Sequence, residues 1–244
     1  MASNSPTGQA DNPLLTAALA YAARGWPVLP CNPKHKRPLV PRDIVDGKPV
    51  ANSGGLAKAT TDPDTLRAWW TRWPLALIGI ATGRSGFFAL DFDPRHDPDT
   101  GEEWTLERLK DELEAMMGCP LPSSLSVRTP SGGVHVYFQQ PADDPVRNSG
   151  ALPDHIDVRG DGGYVIAPPG KNAAGIAYRW LRDDHTAPIM AAPPALLSIL
   201  RTRKGGKAAG QTLQSRVAGD REDGARRYAL GALDAECRAV ERAG

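Results

Sequence analysis

Apolar and polar positions alternate along this chain with two different periods, and the changes of period divide it into elements. In NPLLTAALAYAARG, Leu14, Leu15, Ala18 and Ala22 recur at helical spacing, with Pro13 suited to a first turn and Gly25 to a stop. TDPDTLRAWWTRWP predicts a second helix, capped by Thr61 or Asp62, with Pro63 in its first turn and Pro74 at its end. Its Trp69, Trp70 and Trp73 read as packing residues rather than base-stacking platforms. GEEWTLERLKDELEAMMG predicts a third helix, with acidic residues early, a basic residue later and Gly118 at the end. PPALLSIL is a short fourth, and GARRYALGALDAECRAVERA a fifth with Leu230, Leu233, Cys237 and Val240 on one stripe. WPVLP, ALIGIATG, GFFALDFD, SLSVRTPSGGVHVYFQQ, HIDVRGDGGYVIAPPG and IAYRW are strand-like runs joined by Gly and Pro turns. ALIGIATG and GFFALDFD, separated only by a glycine-bearing turn, are expected to form a hairpin. The expected class is α/β, with strands joined both by hairpins and by helices. The pattern divides into a disordered lead-in over 1–12, a folded unit over 13–200, a flexible Gly-, Ala- and base-rich linker over 201–218, and a helical segment over 219–244.

Strand alternation then sorts the ionisable residues. Phe88, Leu90 and Phe92 fall on one face of their strand, and Ala89, Asp91 and Asp93 on the other. Val134, Val136 and Phe138 oppose His135 and Tyr137, while Ile156 and Val158 oppose His155, Asp157 and Arg159. Each strand is thus expected to have one core face and one wet face. If the three share a sheet, Asp91, Asp93, His135, Asp157 and Arg159 form a single site. Asp91 and Asp93 would stand ~6–7 Å apart on one face and repel each other unless cations lie between them. Mg²⁺ or Mn²⁺ suits such oxygen ligands and takes its remaining ligands from water and phosphate. Two metals ~3.5–4 Å apart would clamp the attacking and leaving oxygens of a phosphoryl transfer, with Asp157 as the third carboxylate. A D-x-D pair alone is common at strand ends, a lone histidine is more often structural, and Asp157–Arg159 read alone is a surface ion pair of little value. Their convergence on three wet faces carries the reading.

Glycines and bases extend this pattern. In RTPSGGVH, Ser131, Gly132 and Gly133 precede His135, so backbone N–H groups and the imidazole can meet a phosphate, with Arg128 reaching the same charge from the preceding strand. RGDGGY repeats the theme beside Arg159, and Lys34, Lys36 and Arg37 form a basic loop able to neutralise a triphosphate. The formal net charge of +1 leaves no global signal for nucleic acid, so any such surface must be local. Three scattered cysteines, Cys31, Cys119 and Cys237, contain no CxxC pair, so zinc is not expected and a reducing compartment is. No apolar run approaches the ~20 residues of a membrane span. The first residues lack the basic and apolar regions of a signal peptide, so a cytoplasmic location and no membrane partner are expected.

These segments together resemble the bifunctional primase–polymerase (Prim-Pol) domain of the archaeo-eukaryotic primase superfamily, found in phage, plasmid and mobile-element replication proteins. The resemblance runs from AALAYAARGWPVLP to AYRW and is carried by KRPL, ATTDPDTLRAWW, IGIATG, SGFFALDFD, VRTPSGGVHVYF and DVRGDGGYVIAPPG. The family's paired acids fall on Asp91 and Asp93, its small-x-His motif on Gly133-Val134-His135, and its further acid on Asp157. The resemblance implies an archaeo-eukaryotic primase fold: an RRM-like sheet unit packed with a second α/β unit, the active site between them. It implies a nucleotidyltransferase that makes and extends primers on single-stranded DNA from NTPs or dNTPs. Mg²⁺ or Mn²⁺ would sit on Asp91, Asp93 and Asp157, and phosphates on His135, Arg128, Ser131, Gly133, Arg159 and Lys36. It also implies a helicase-type region in the same polypeptide and, for a phage or plasmid protein, a bacterial host cytoplasm. The zinc-binding stem of some relatives has no counterpart among these cysteines. Two rivals remain. A rolling-circle initiator needs a paired-histidine metal site and a nucleophilic tyrosine. A non-catalytic single-strand-binding module needs aromatics on its sheet face and no acid cluster.

Overall fold

The computed structural model describes residues 12–96, 99, 101–181 and 187–202. The lead-in up to residue 11, residues 203–218 of the linker expected over 201–218 and the helix expected over 219–244 lie outside the described residues; Arg201, expected in that linker, is helical.

Local capping chemistry starts the helices. Asn12 caps α1 (Pro13–Ala23) by accepting from the Leu14 and Leu15 N–H groups, and its Nδ2 donates to the Pro74 carbonyl at 3.0 Å. This last residue of the expected lead-in therefore belongs to the fold. Asp62 caps α2 (Pro63–Arg72) through the Thr65 N–H. Thr105 caps α3 (Leu106–Met117), which Gly118 closes in the left-handed region at φ 72°. α4 spans Pro194–Arg201. Among the described residues the strands are β1 (Val28–Cys31), β2 (Ile44–Val45), β3 (Lys48–Pro49), β4 (Leu77–Ala81), β5 (Phe87–Phe92), β6 (Arg95–His96), β7 (Glu103–Trp104), β8 (Ser126–Arg128), β9 (Val134–Gln139), β10 (Ile156–Arg159), β11 (Tyr164–Ala167) and β12 (Arg179–Trp180).

Two antiparallel sheets carry the architecture, ordered β1-β4-β11 and β10-β5-β9-β8-β12. The ribbons β2-β3 and β6-β7 stand outside them. The residues Glu103 and Trp104, expected in the third helix, instead pair with His96 and Arg95.

The expected hairpin between ALIGIATG and GFFALDFD does not form. β4 lies in the three-stranded sheet and β5 in the five-stranded one, and the short helical turn Gly83–Ser85 with Gly86 at φ 76° carries the chain across. The reason is coverage. Every residue of β4, and Phe87 to Leu90 of β5, is buried, so both faces of each strand need a packed partner. A bare hairpin would leave one face in water.

Two cores result. The first joins α1 and α2 to the three-stranded sheet and to Phe87, Ala89, Val127 and Tyr137 on one face of the five-stranded sheet. The second joins Phe88, Leu90, Phe92, Phe138, Ile156 and Val158 on the opposite face to Leu109, Leu113 and Met117 of α3 and Leu196 and Leu200 of α4. The expectation of one core face and one wet face is thus corrected. Both faces of the five-stranded sheet are core for most of their length, and the ionisable residues occupy one end of the face turned towards the smaller sheet. This α+β arrangement of two packed units is consistent with a primase-type fold.

Candidate active site

Strand register assembles the site. Asp157 pairs with Asp91 across β10 and β5, and Asp91 pairs with His135 across β5 and β9. One row therefore reads Asp157, Asp91, His135, with neighbouring Cα atoms ~4.5–5.5 Å apart. The next row holds Arg159, Ala89 and Tyr137, and there the site gives way to the core.

Each carboxylate has a cation or imidazole beside it. His135 Nε2 lies 3.4 Å from Asp91 Oδ1, with 7% of the His135 side chain and 26% of the Asp91 side chain exposed. Arg95 meets Asp93 Oδ2 through Nη2 at 2.8 Å and Nε at 3.2 Å. Arg159 Nη2 meets Asp157 Oδ2 at 3.0 Å. Two of these contacts come from the same local pattern, D-x-R, in which alternation returns the arginine to the face of its acid. The Arg95 guanidinium is held above its ordinary value by its hydrogen bond to Asp93 and the Asp93 charge, with a further contribution from Asp157. Burial pushes the His135 imidazole below its usual range; Asp91 opposes that shift, while the Lys36 and Arg159 charges reinforce it. His135 is therefore neutral near pH 7. Its Nδ1 is buried and has no hydrogen-bond partner among the described residues.

A cleft of about 340 Å³ opens between the two sheets, lined by Lys36, Asp91, His135, Arg159, Tyr164 and Tyr178 together with Asn148, Gly162 and Gly163. The Tyr164 hydroxyl donates to the Lys36 carbonyl at 3.1 Å, which draws the basic loop to the cleft. Asn148 clasps the turn after β10. Its Oδ1 accepts from Gly160 N at 2.8 Å, and its Nδ2 reaches Asp161 O at 3.4 Å. Asp157 opens instead into an adjoining hollow of about 440 Å³ that shares Asn148 as a wall.

Of the residues singled out from sequence, Asp91, His135, Arg159 and Lys36 meet in the cleft, with Asp157 beside Asp91 and Asp93 just beyond the end of β5. Arg128 does not join them. Val127, not Arg128, is the register partner of His135, so Arg128 lies on the opposite face, where its Nη1 donates to the Gly132 carbonyl at 3.1 Å. Ser131 is exposed in the turn, 3.0 Å from Thr129 Oγ1. Gly133 is buried, and a Cβ there would lie 2.4 Å from the Phe92 carbonyl oxygen, so its smallness serves the approach of two strands rather than of a ligand. Asn148, Tyr164 and Tyr178 were not legible as site residues, because no local pattern marks them.

The donor set suits a hard divalent cation. It offers carboxylate oxygens only, two of them on directly opposed residues, and like charges so placed are unfavourable without a counter-ion. Among the described residues no group of three or more acidic, histidine or cysteine side chains is placed to hold a metal ion together. The opposed pair Asp91 and Asp157 would therefore leave most of the coordination of Mg²⁺ or Mn²⁺ to water and phosphate.

A family model described as bifunctional DNA primase/polymerase, N-terminal, matches residues 18–195. That span takes in both sheets and every residue of the cleft. Comparison with individual curated proteins gives no match. Among the described residues no helix is long and apolar enough to cross a membrane.

Proposed function

The chain belongs to the bifunctional DNA primase/polymerase N-terminal family, and we propose that its inter-sheet cleft carries out template-directed nucleotidyl transfer, making and extending primers on single-stranded DNA from NTPs or dNTPs. DNA and nucleotides as substrates follow from the family. The finer reading rests on one observation, the row Asp157–Asp91–His135 beneath the basic wall of Lys36 and Arg159.

In this reading Asp91, Asp93 and Asp157 hold Mg²⁺ or Mn²⁺, which when bound lowers the pKa of a 3′-hydroxyl and stabilises a pyrophosphate leaving group. The protein's own groups do the rest. Lys36 and Arg159 present fixed positive charge to a triphosphate, preorganised before the nucleotide arrives. Arg159 is shared between Asp157, which it meets at 3.0 Å, and the triphosphate it would face in the cleft. His135, kept neutral by burial, offers a hydrogen bond whose charge comes from the ligand. Asn148 keeps the Gly162–Gly163 turn in place as the opposite wall. A setting in phage or plasmid replication, beside a helicase-type region, rests on sequence resemblance alone.

The test is a primer-synthesis and extension assay on single-stranded templates, with labelled NTPs or dNTPs and with Mg²⁺ or Mn²⁺ in turn. Template-limited products are expected, and none from Asp91→Asn or Asp157→Asn. Nicking of the template without nucleotide would point to a rolling-circle initiator instead. Binding with neither reaction would point to a single-strand-binding module.

A further inference from the structure

The far face of the five-stranded sheet carries a second pair of like charges, of the opposite sign. Arg128 on β8 and Arg179 on β12 are direct register partners, and both are exposed. Residues directly opposite in an antiparallel pair point to the same face, and like charges so placed destabilise it. Among the described residues neither arginine has an ion-pair partner; Arg128 donates only to the Gly132 carbonyl.

The same face continues into a groove of about 430 Å³. Ser126, Val134 and Val136 form its floor, and Leu106 and Lys110 of α3 stand on its wall. Register ties the arginines to this floor, with Ser126 opposite Val136 and Arg128 opposite Val134. The second core buries this face fully at Phe88, Leu90 and Phe138. Ser126 and Val136 are only half-buried, so that cover thins towards β8. An apolar floor flanked by two guanidinium groups that have no ion-pair partner among the described residues fits a flexible chain that alternates flat apolar groups with phosphates. Arginine suits phosphate in particular, because its planar fork can donate two hydrogen bonds at once.

We propose that this groove holds the single-stranded template, with phosphates on Arg128 and Arg179 and bases over Val134 and Val136. The proposal rests on the primase/polymerase reading of the cleft, because nucleic acid is the polyanion which that reaction already engages. It also supplies a route. Arg128 is tied to the turn at Gly132, and that turn leads directly into His135 on the other face. A strand leaving the groove past this turn reaches the cleft. Arg128 thereby takes a template role in place of the nucleotide role expected from sequence.

The experiment measures fluorescence anisotropy of a labelled oligo-dT on the full chain, without nucleotide, over a range of salt. The double variant Arg128→Ala/Arg179→Ala should bind about tenfold more weakly, with a log Kd against log salt slope shallower by about 1.4 for two lost single-strand phosphate contacts. Arg128→Lys/Arg179→Lys should keep the wild-type slope. The nucleotide KM at saturating template should stay unchanged in both. Wild-type affinity and slope in the alanine variant, with the wild type binding and extending, overturns the groove and leaves the cleft reading intact. A raised nucleotide KM with unchanged DNA affinity returns Arg128 to the triphosphate and overturns the proposal. Displacement by a polyglutamate peptide as effective as by unlabelled oligonucleotide makes the surface an acidic-peptide site and also overturns it. A wild-type chain that neither binds nor extends brings down both readings.

Discussion

Asp91 of β5 and Asp157 of β10 face each other as direct antiparallel partners, between the core pairs Leu90–Val158 and Phe92–Ile156 that point to the opposite face. Two carboxylates so placed repel, and the fold tolerates them with an imidazole beside one and a guanidinium beside the other. The site is thus charged with replaceable partners, and that arrangement has consequences for stability as well as for ligand binding.

Asp91→Asn should abolish extension while leaving the metal-free protein as stable as the wild type or more so. The relief is about 0.2–1 kcal/mol, the usual range for a cross-strand pair. Thermal melts in EDTA and then in Mg²⁺ check this: the ion should raise Tm in the wild type and leave the variant unmoved. A metal-free loss of several degrees would make Asp91 a structural partner of His135.

His135 should make stability depend on pH below its ordinary value of 6.5. Its folded pKa is depressed by burial, so between the two values the unfolded chain binds more protons than the folded one. Its contribution is full above 6.5 and is lost as pH falls towards the lower folded value. The fall in Tm from neutral to mildly acid pH should therefore be smaller in His135→Gln. In the same variant the nucleotide KM should rise by tenfold or more, for a charge-assisted hydrogen bond of about 1.5–3 kcal/mol, with oligonucleotide affinity unchanged. An unaltered nucleotide KM would confine His135 to packing.

Gly133→Ala should unfold more readily in urea, by about 1–3 kcal/mol, because the added methyl meets a backbone carbonyl that cannot swing aside. Its neighbour differs: Gly132 sits at φ +89° with open space around it. Gly132→Ala should cost about 1 kcal/mol through backbone strain alone. Were Gly133→Ala fully stable yet defective only in nucleotide binding, the glycine would serve the ligand after all.

Arg95→Gln should raise the Mn²⁺ affinity of the nucleotide-free protein severalfold, measured by electron paramagnetic resonance of the free ion. The arginine competes for Asp93, and the competition is modest because both groups are partly exposed, 62% and 40%. Equal or weaker Mn²⁺ binding would show that Arg95 holds Asp93 in position rather than opposing the ion.

Much of this was legible along the chain, because the relevant forces are local. Asp62, expected as a cap from its place before Pro63, caps its helix through the Thr65 N–H three residues away, whereas Asn12 and Thr105 were not expected as caps and prove to be so. Alternation alone places Asp91 with Asp93, and His135 with Tyr137, whatever the partner strands are. The misreadings came where a neighbour in space decides. Arg128 looked close to His135 by sequence distance, yet the β8–β9 register puts Val127 opposite that histidine and Arg128 on the other face.

What the sequence alone determined is the body of the four described helices, the longer strands of the two sheets and the parity of their side chains, since capping and pleating act over a few residues; the short ribbons β2-β3 and β6-β7 it did not. What only the tertiary structure decided is which faces are covered and which strands are neighbours. It separated β4 from β5 because each is buried on both faces. It brought Tyr164 to the Lys36 carbonyl across 128 residues of chain. It set Asp157 opposite Asp91 by a register that neither strand carries in itself. Coverage and register are properties of pairs of surfaces, and no stretch of chain specifies the surface that will be laid against it.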